Sequence, residues 1–319
     1  MADELNDRPL QPMVEASPAA CAEIRRALKV ALATFQRWGI ELPPGSWIQD
    51  ADWWLEHVAT RNHLGETSQE LERTAAAAAL AVDLYHISTC LGEEANRQVA
   101  VELAHLARGR LLGRGDSAAG RDYLVQFWIG ALLAQSKLHP HIQAYDVPGE
   151  PKLDFVITKG GVKFSIEVKR PRTKASAVRA TLKAADQIRA LGRPGIIIID
   201  ATECMSIGPF QVIDVSSNAR ELVRAELHDL HGSLYDLAAS YRRSNKFSHV
   251  CMLMRMARYW NWIADEPAPP RRDAGLLFDA YAFPYLWSRQ VTQLAGEIME
   301  ALLGGLKQLT GNPPASTWS

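Results

Sequence analysis

The stretch that most restricts the fold is KLDFVITKGGVKFSIEVKR, residues 152–170. Two β-patterned runs flank Gly160-Gly161, and such a pair suits a two-residue hairpin turn because primed turns need positive φ. A turn there opposes residues whose numbers sum to 321, setting Leu153 against Val168, Phe155 against Ile166 and Ile157 against Phe164. One face is then wholly apolar, and a one-residue slip would scramble both faces. The other face sets Asp154 against Glu167 and Lys152 against Lys169. Directly opposed side chains have Cβ atoms roughly 4.5–5.5 Å apart, so each pair repels. A divalent cation between the carboxylates removes that conflict, and hard oxygen ligands with water and phosphate are what Mg²⁺ prefers. Lys169 follows Glu167 by two residues on the same face, placed to contact a water or a phosphate.

The elements around the hairpin give a mixed α/β core. Residues 121–137 read as an apolar helix, followed by β segments at 141–147, 152–158 and 162–169. A basic helix is expected over 173–191. Gly195–Asp200 (GIIIID) is a continuous apolar run that suits a strand buried on both faces. Further on come a helix at 217–243, a strand at 248–256, a Pro- and Arg-containing loop at 265–274, a last strand at 276–283 and a helix at 287–309. Before the core, residues 1–18 read as a disordered lead-in. Residues 20–38 and 68–112 read as helices, with a Trp-rich stretch, Pro43 to His57, between them. The Gly113–Gly120 segment is a break. We therefore expect a helical N-terminal domain over 19–118, partner-binding or regulatory, and a second domain over 119–319.

The charge is divided along the same line. Residues 1–118 hold 17 acidic and 11 basic side chains, and residues 119–319 hold 19 and 24, so the second part better suits an anionic partner. Four scattered cysteines without CxxC or CxxH spacing do not fit a zinc site or a disulfide framework, and reduced cytosolic thiols suit them. The acidic, polar N-terminus does not read as a signal peptide. No segment is long and apolar enough to span a bilayer, so a cytoplasmic location with no membrane partner is expected.

Asp154 followed after twelve residues by Glu167-Val168-Lys169, inside an α-β-β-β-α-β order, resembles the PD-(D/E)xK, or restriction-endonuclease-like, nuclease superfamily. The resemblance covers about residues 121–200. It implies a restriction-endonuclease-like core with a mixed sheet behind an all-helical N-terminal domain. It also implies an Mg²⁺- or Mn²⁺-dependent endonuclease with Asp154, Glu167 and Lys169 as catalytic residues. Asp154, Glu167 and the Val168 carbonyl would bind the metal. Leu153 stands where the motif has Pro. Where many members carry a helix Glu, this chain offers Gln126 or Asp122. Gln187 matches a Gln found on the following helix of some relatives, with Leu191 where they have Tyr. The implied substrate is nucleic acid, DNA ahead of RNA. Chains of this build resemble bacterial restriction or phage-defence effectors. A protein partner for the helical domain and homo-oligomer formation stay open. The alternatives are a catalytically inactive module of the same fold, binding nucleic acid or acting as a scaffold, and a protein-binding helical adaptor with an incidental hairpin.

Residues 169–193 are rich in cations, and Arg170, Arg172, Lys174, Arg179 and Lys183 are candidates for phosphate contacts. Arg179, Lys183 and Gln187 share a helical face; a solvated helix face is the competing reading. His139 and His141 precede the first strand, where a structural role is the simpler assignment. Ser165 has no positioned base. Arg258-Tyr259-Trp260-Asn261-Trp262 offers stacking side chains, but packing in a core explains them as well.

Overall fold

Gly160 and Gly161 have φ of +56° and +77°, values that side chains disfavour and a primed hairpin turn requires. They join β3 (Phe155–Lys159) to β4 (Val162–Lys169). The antiparallel register pairs Phe155 with Ile166, Ile157 with Phe164 and Lys159 with Val162, as the turn dictates. The structure is a computed structural model that describes residues 6–9, 17–65, 67–91, 119–138, 141–142, 154–214, 218–241, 245–265, 268–282 and 288–310. Lys152 and Leu153 lie outside the described residues, as do most of the Gly113–Gly120 break and His139.

Among the described residues, four helices precede the hairpin: α1 (Pro18–Arg37), α2 (Trp47–Arg61), α3 (Ser68–Cys90) and α4 (Ala119–Gln135). Their starts are written in the sequence. Ser17 accepts from Ala20 N–H with Pro18 in the first turn, and Thr67 and Glu70 form a capping box on α3. The Trp-rich stretch assigned to no element is helix α2. Ser46 caps it, and Trp47, Trp54 and Leu55 face inward while Trp53 stays exposed; the tryptophans obscured an ordinary amphipathic period. α3 is buried almost all round, and its alanines let α1, α2 and α4 approach closely.

After α4 come β2 (His141–Ile142), β3, β4, α5 (Lys174–Ala190) and β5 (Gly195–Asp200). A 3₁₀ turn at Thr202–Cys204 leads to β6 (Val212–Asp214), α6 (Ala219–Tyr241), β7 (Val250–Asp265), β8 (Ala268–Ala282) and α7 (Arg289–Thr310). Together they make an α/β fold with one mixed sheet behind a helical N-terminal region. The strand order is β1-β8-β7-β5-β4-β3-β2, with β6 beside β7. β4, β5 and β7 run parallel, while β2, β3 and β8 are antiparallel to their neighbours.

Three expectations change. Residues 268–274, assigned to a loop, lie in β8. Pro269 and Pro270 are tolerated because they fall in an irregularity of the β7–β8 pairing, between the pairing of Ile263 with Arg271 and that of Asp265 with Ala268, and because β1 (Asn6–Pro9) pairs only with Gly275–Phe278. Asn6–Pro9 are thus strand within the stretch read as disordered lead-in. β7 also runs well past Met256, to Asp265.

The sheet is covered on both faces. Phe155, Phe164, Ile166, Ile198 and Met254 join one cluster with Leu28, Leu55, Leu84, Phe127 and Leu302. Ile197, Ile199 and Leu253 join another with Ala184, Ile188, Leu227 and Leu230. This two-sided burial explains the unbroken isoleucine run of β5. Along β4, Phe164, Ile166 and Val168 face the first cluster. Glu167 and Lys169, opposite Ile197 and Ile199 of β5, face α5.

Candidate active site

Asp154 enters β3 one residue before Phe155, and Glu167 and Lys169 close β4. Gly130 of α4 holds this corner together. A Cβ there would lie 2.9 Å from the Phe155 ring, so only glycine lets α4 sit this near β3. One turn earlier, Gln126 lines the same cleft as Asp154.

The three motif residues meet. Val168 N–H donates to Asp154 Oδ2 at 2.6 Å. The Lys169 ammonium donates to Glu167 Oε2 and lies 3.6 Å from Asp154 Oδ2. Asp154 is 8% exposed and Glu167 0%. The predicted like-charge conflict therefore exists, and in this structure Lys169 moderates it. Two carboxylates share one ammonium, so one of them holds its proton readily. Burial, and then the charge of Asp154, push Glu167 up to about 8, against the pull of Lys169. Burial also raises Asp154, opposed by Lys169 and by the Val168 N–H. Burial would lower the Lys169 ammonium, but Asp154 and Glu167 outweigh it and hold it above its usual range.

Asp154, Val168 and Lys169 line a cleft of about 830 Å³ between α4 and α5, whereas Glu167 is fully buried beside Lys169 and does not line it. Arg172, Arg179 and Lys183 line it and are exposed at its rim, and Gln187 lines it deeper in. Two of the proposed phosphate contacts are differently placed. Arg170 lines the cleft, but its guanidinium is turned to carboxylates: Glu203 at 2.7 Å, Asp200 at 3.5 Å and Asp122 at 3.7 Å. Lys174 faces Glu226 and Asp229, each at 3.8 Å. Asp122 and Gln126, the two candidates for the helix ligand, both line the cleft. Burial raises Asp122 despite Arg170 and Arg172, whereas Gln126 is 6% exposed and its Nε2 has no hydrogen-bond partner among the described residues.

The donor set suits a hard divalent cation. Glu167 Oε1 is buried with no hydrogen-bond partner among the described residues, beside a second carboxylate. Among the described residues no group of three or more His, Cys, Asp and Glu side chains is placed to hold an ion. Mg²⁺ needs only one or two carboxylates, completing its shell with water and substrate phosphate.

Other candidates fall away from the site. Ser165 is buried and accepts from Arg193 Nε at 2.7 Å. One guanidinium nitrogen of Arg258 donates to both Asp83 oxygens, the Asn261 side chain donates to Gly208 and Gln211 carbonyls, and the Trp262 indole donates to the Leu71 carbonyl at 2.8 Å. These three are packing residues between β7 and its neighbours. Tyr123, Thr173 and Ser176 also line the cleft and were not anticipated. Helical spacing was the available signal, since Tyr123 stands three before Gln126 and Ser176 three before Arg179.

The four cysteines are free, and among the described residues no helix is long and apolar enough to cross a membrane. No protein-family model, curated protein or solved structure matches the chain.

Proposed function

We propose that the chain is a metal-dependent endonuclease of the PD-(D/E)xK type, hydrolysing phosphodiester bonds of nucleic acid, DNA ahead of RNA. One observation carries this reading: two buried carboxylates share a lysine, and one of them, Asp154, lines with that lysine a cleft whose α5 wall bears exposed cations. The order α4-β2-β3-β4-α5-β5, with β4 parallel to β5, supports it as a restriction-endonuclease-like core. Asp154, Glu167 and the Val168 carbonyl would hold Mg²⁺ or Mn²⁺. Such an ion, when bound, lowers the pKa of a coordinated water and offsets charge developing on the phosphoryl group. Lys169 then donates to the attacking water or the scissile phosphate. Arg172, Arg179 and Lys183 hold flanking phosphates without reading sequence. Gln126, Asp122 and Gln187 serve as auxiliary polar groups. The helical region over 19–118 is the candidate regulatory or partner-binding part. A role in restriction or phage defence rests on family analogy alone.

A second reading has its own support: Gln126 or Asp122 stands where a further acidic ligand is common, and no triad of ligands is assembled among the described residues. On that reading the chain binds nucleic acid without cutting it.

The test is incubation with plasmid DNA, single-stranded DNA and RNA in Mg²⁺, Mn²⁺ or EDTA, beside Asp154→Ala. Metal-dependent cleavage lost in the variant supports the nuclease. Salt-sensitive binding with no cleavage under any condition overturns it in favour of the second reading.

A further inference from the structure

Resting on the nucleic-acid reading of this cleft, we propose that its substrate is a single strand, with the phosphate backbone along α5 and the bases turned to α4. The two walls differ in chemistry. On the α5 side, Arg172 precedes the helix, the Thr173 cap opens it, and Arg179 and Lys183 follow on the same face. Thr173 to Lys183 spans ten residues, roughly 15 Å at 1.5 Å per residue. An N-terminal helix end leading into cations on one face suits a run of phosphates.

The α4 wall carries no cation among its lining residues. It presents Asp122, Tyr123 and Gln126. Tyr123 lines the cleft half-buried, packed in part against the core cluster, and it brings to this wall an aromatic ring of the kind on which unpaired bases stack. Gln126 is nine-tenths buried, and its Nε2 has no partner among the described residues. An amide carries both donor and acceptor, which suits a base edge rather than a phosphate. Asp122 would repel a second backbone.

A duplex shows phosphates on both flanks and hides the base faces in its stack. It has no use for a stacking wall opposite a cationic one. Access makes the same demand. Asp154, 8% exposed, and Lys169 line the cleft between the two walls, so the scissile phosphate must approach between α4 and α5. A single strand can thread there, whereas a stacked duplex would first have to unpair.

The experiment is fluorescence anisotropy in EDTA with a labelled single-stranded oligodeoxynucleotide, the same sequence as RNA, and the blunt DNA duplex. At least one single strand is expected to bind about tenfold or more tighter than the duplex. Tyr123→Ala should lose about tenfold of that affinity, the scale of one stacked base. Tyr123→Phe should keep it, and Tyr123→Leu, which preserves apolar bulk, should behave like Ala. Arg179→Ala should weaken every nucleic acid tested. A thermal melt by circular dichroism checks that each variant is folded. Duplex binding equal to or tighter than both single strands overturns the proposal, as does binding indifferent to Tyr123→Leu, or no binding at all. Duplex cleavage in Mg²⁺ with weak single-strand binding overturns this proposal and leaves the nuclease. Single-strand binding without cleavage does the reverse.

Discussion

Two of the buried charge clusters on this sheet are built differently. Around β7, Arg258 grips both oxygens of Asp83 at 2.9 and 3.0 Å and lies 4.6 Å over the Trp128 ring. That pair joins α3 to the sheet, one guanidinium nitrogen donating to both carboxylate oxygens in charge-assisted hydrogen bonds. At the end of β4, two carboxylates share one lysine, and one carboxylate oxygen has no hydrogen-bond partner among the described residues. The first cluster is matched, as a structural ion pair must be to offset its desolvation. The second is left short of positive charge where a cleft reaches it. The contrast sets a buried pair that holds the fold beside one that the proposed function uses for chemistry, because a carboxylate pair short of positive charge is costly for stability alone.

Breaking the matched pair should have the largest effect on folding. Asp83→Ala leaves Arg258 buried and uncompensated, a loss of about 3–5 kcal/mol, read as a lower denaturant midpoint. Any cleavage per folded molecule should persist. Glu167→Gln should invert the pattern. It removes a buried charge, so thermal stability is held or raised. On the proposed nuclease mechanism it also loses a metal ligand worth several kcal/mol in the transition state, which should slow cleavage roughly a thousandfold. If Asp83→Ala abolished cleavage in fully folded protein, or Glu167→Gln unfolded the chain, the distinction would collapse.

Burial raises carboxylates in both clusters, Asp83 included, so both favour lower pH; a variant isolates the share of Glu167. Glu167 is raised from 4.5 to about 8 by burial first and by Asp154 second. Between those values the folded state holds a proton that the unfolded state has released. Stability is therefore full below about pH 4.5 and declines as pH rises through about 8. Asp154, raised likewise, adds to the decline. In metal-free protein in EDTA, denaturant midpoints across this range should fall for the wild type and flatten for Glu167→Gln. An identical slope in both would mean that Glu167 is not the group that titrates.

The contrast between the clusters was only half legible in the sequence. The hairpin register could be read because its determinants are local: Gly160-Gly161 fixes the turn and the apolar alternation fixes the face. Asp154, Glu167 and Lys169 follow from that register. The isoleucine run of β5 was equally plain. Arg170 was misleading. Its neighbours in sequence are cations, and only the return of the chain from β5 brings Asp200 and Glu203 against it. Asp83 and Arg258 are 175 residues apart, and no local pattern joins them. Helix α2 was missed because its tryptophans drew the eye from the Ser46 cap. Strand β8 was missed because Pro269 and Pro270 are loop signals, except where a neighbouring strand ends before them.

The smallest effect tests how the unmatched cluster extends into the cleft. Lys183 and Lys174 lie on one helix, and sequence gives them the same standing as phosphate contacts. The structure separates them. Lys183 lines the cleft near enough to lower Glu167, whereas Lys174 faces Glu226 and Asp229 of α6. Each phosphate contact contributes roughly one unit to the slope of log affinity against log salt. Lys183→Ala should therefore reduce that slope by about 1, uniformly across nucleic-acid sequences. Lys174→Ala, already engaged by two carboxylates, should leave the slope unchanged within error. Salt titrations of the two variants side by side decide it. Equal slopes would mean that the α5 cations act as a diffuse field, and that the cleft does not set which of them touches the backbone.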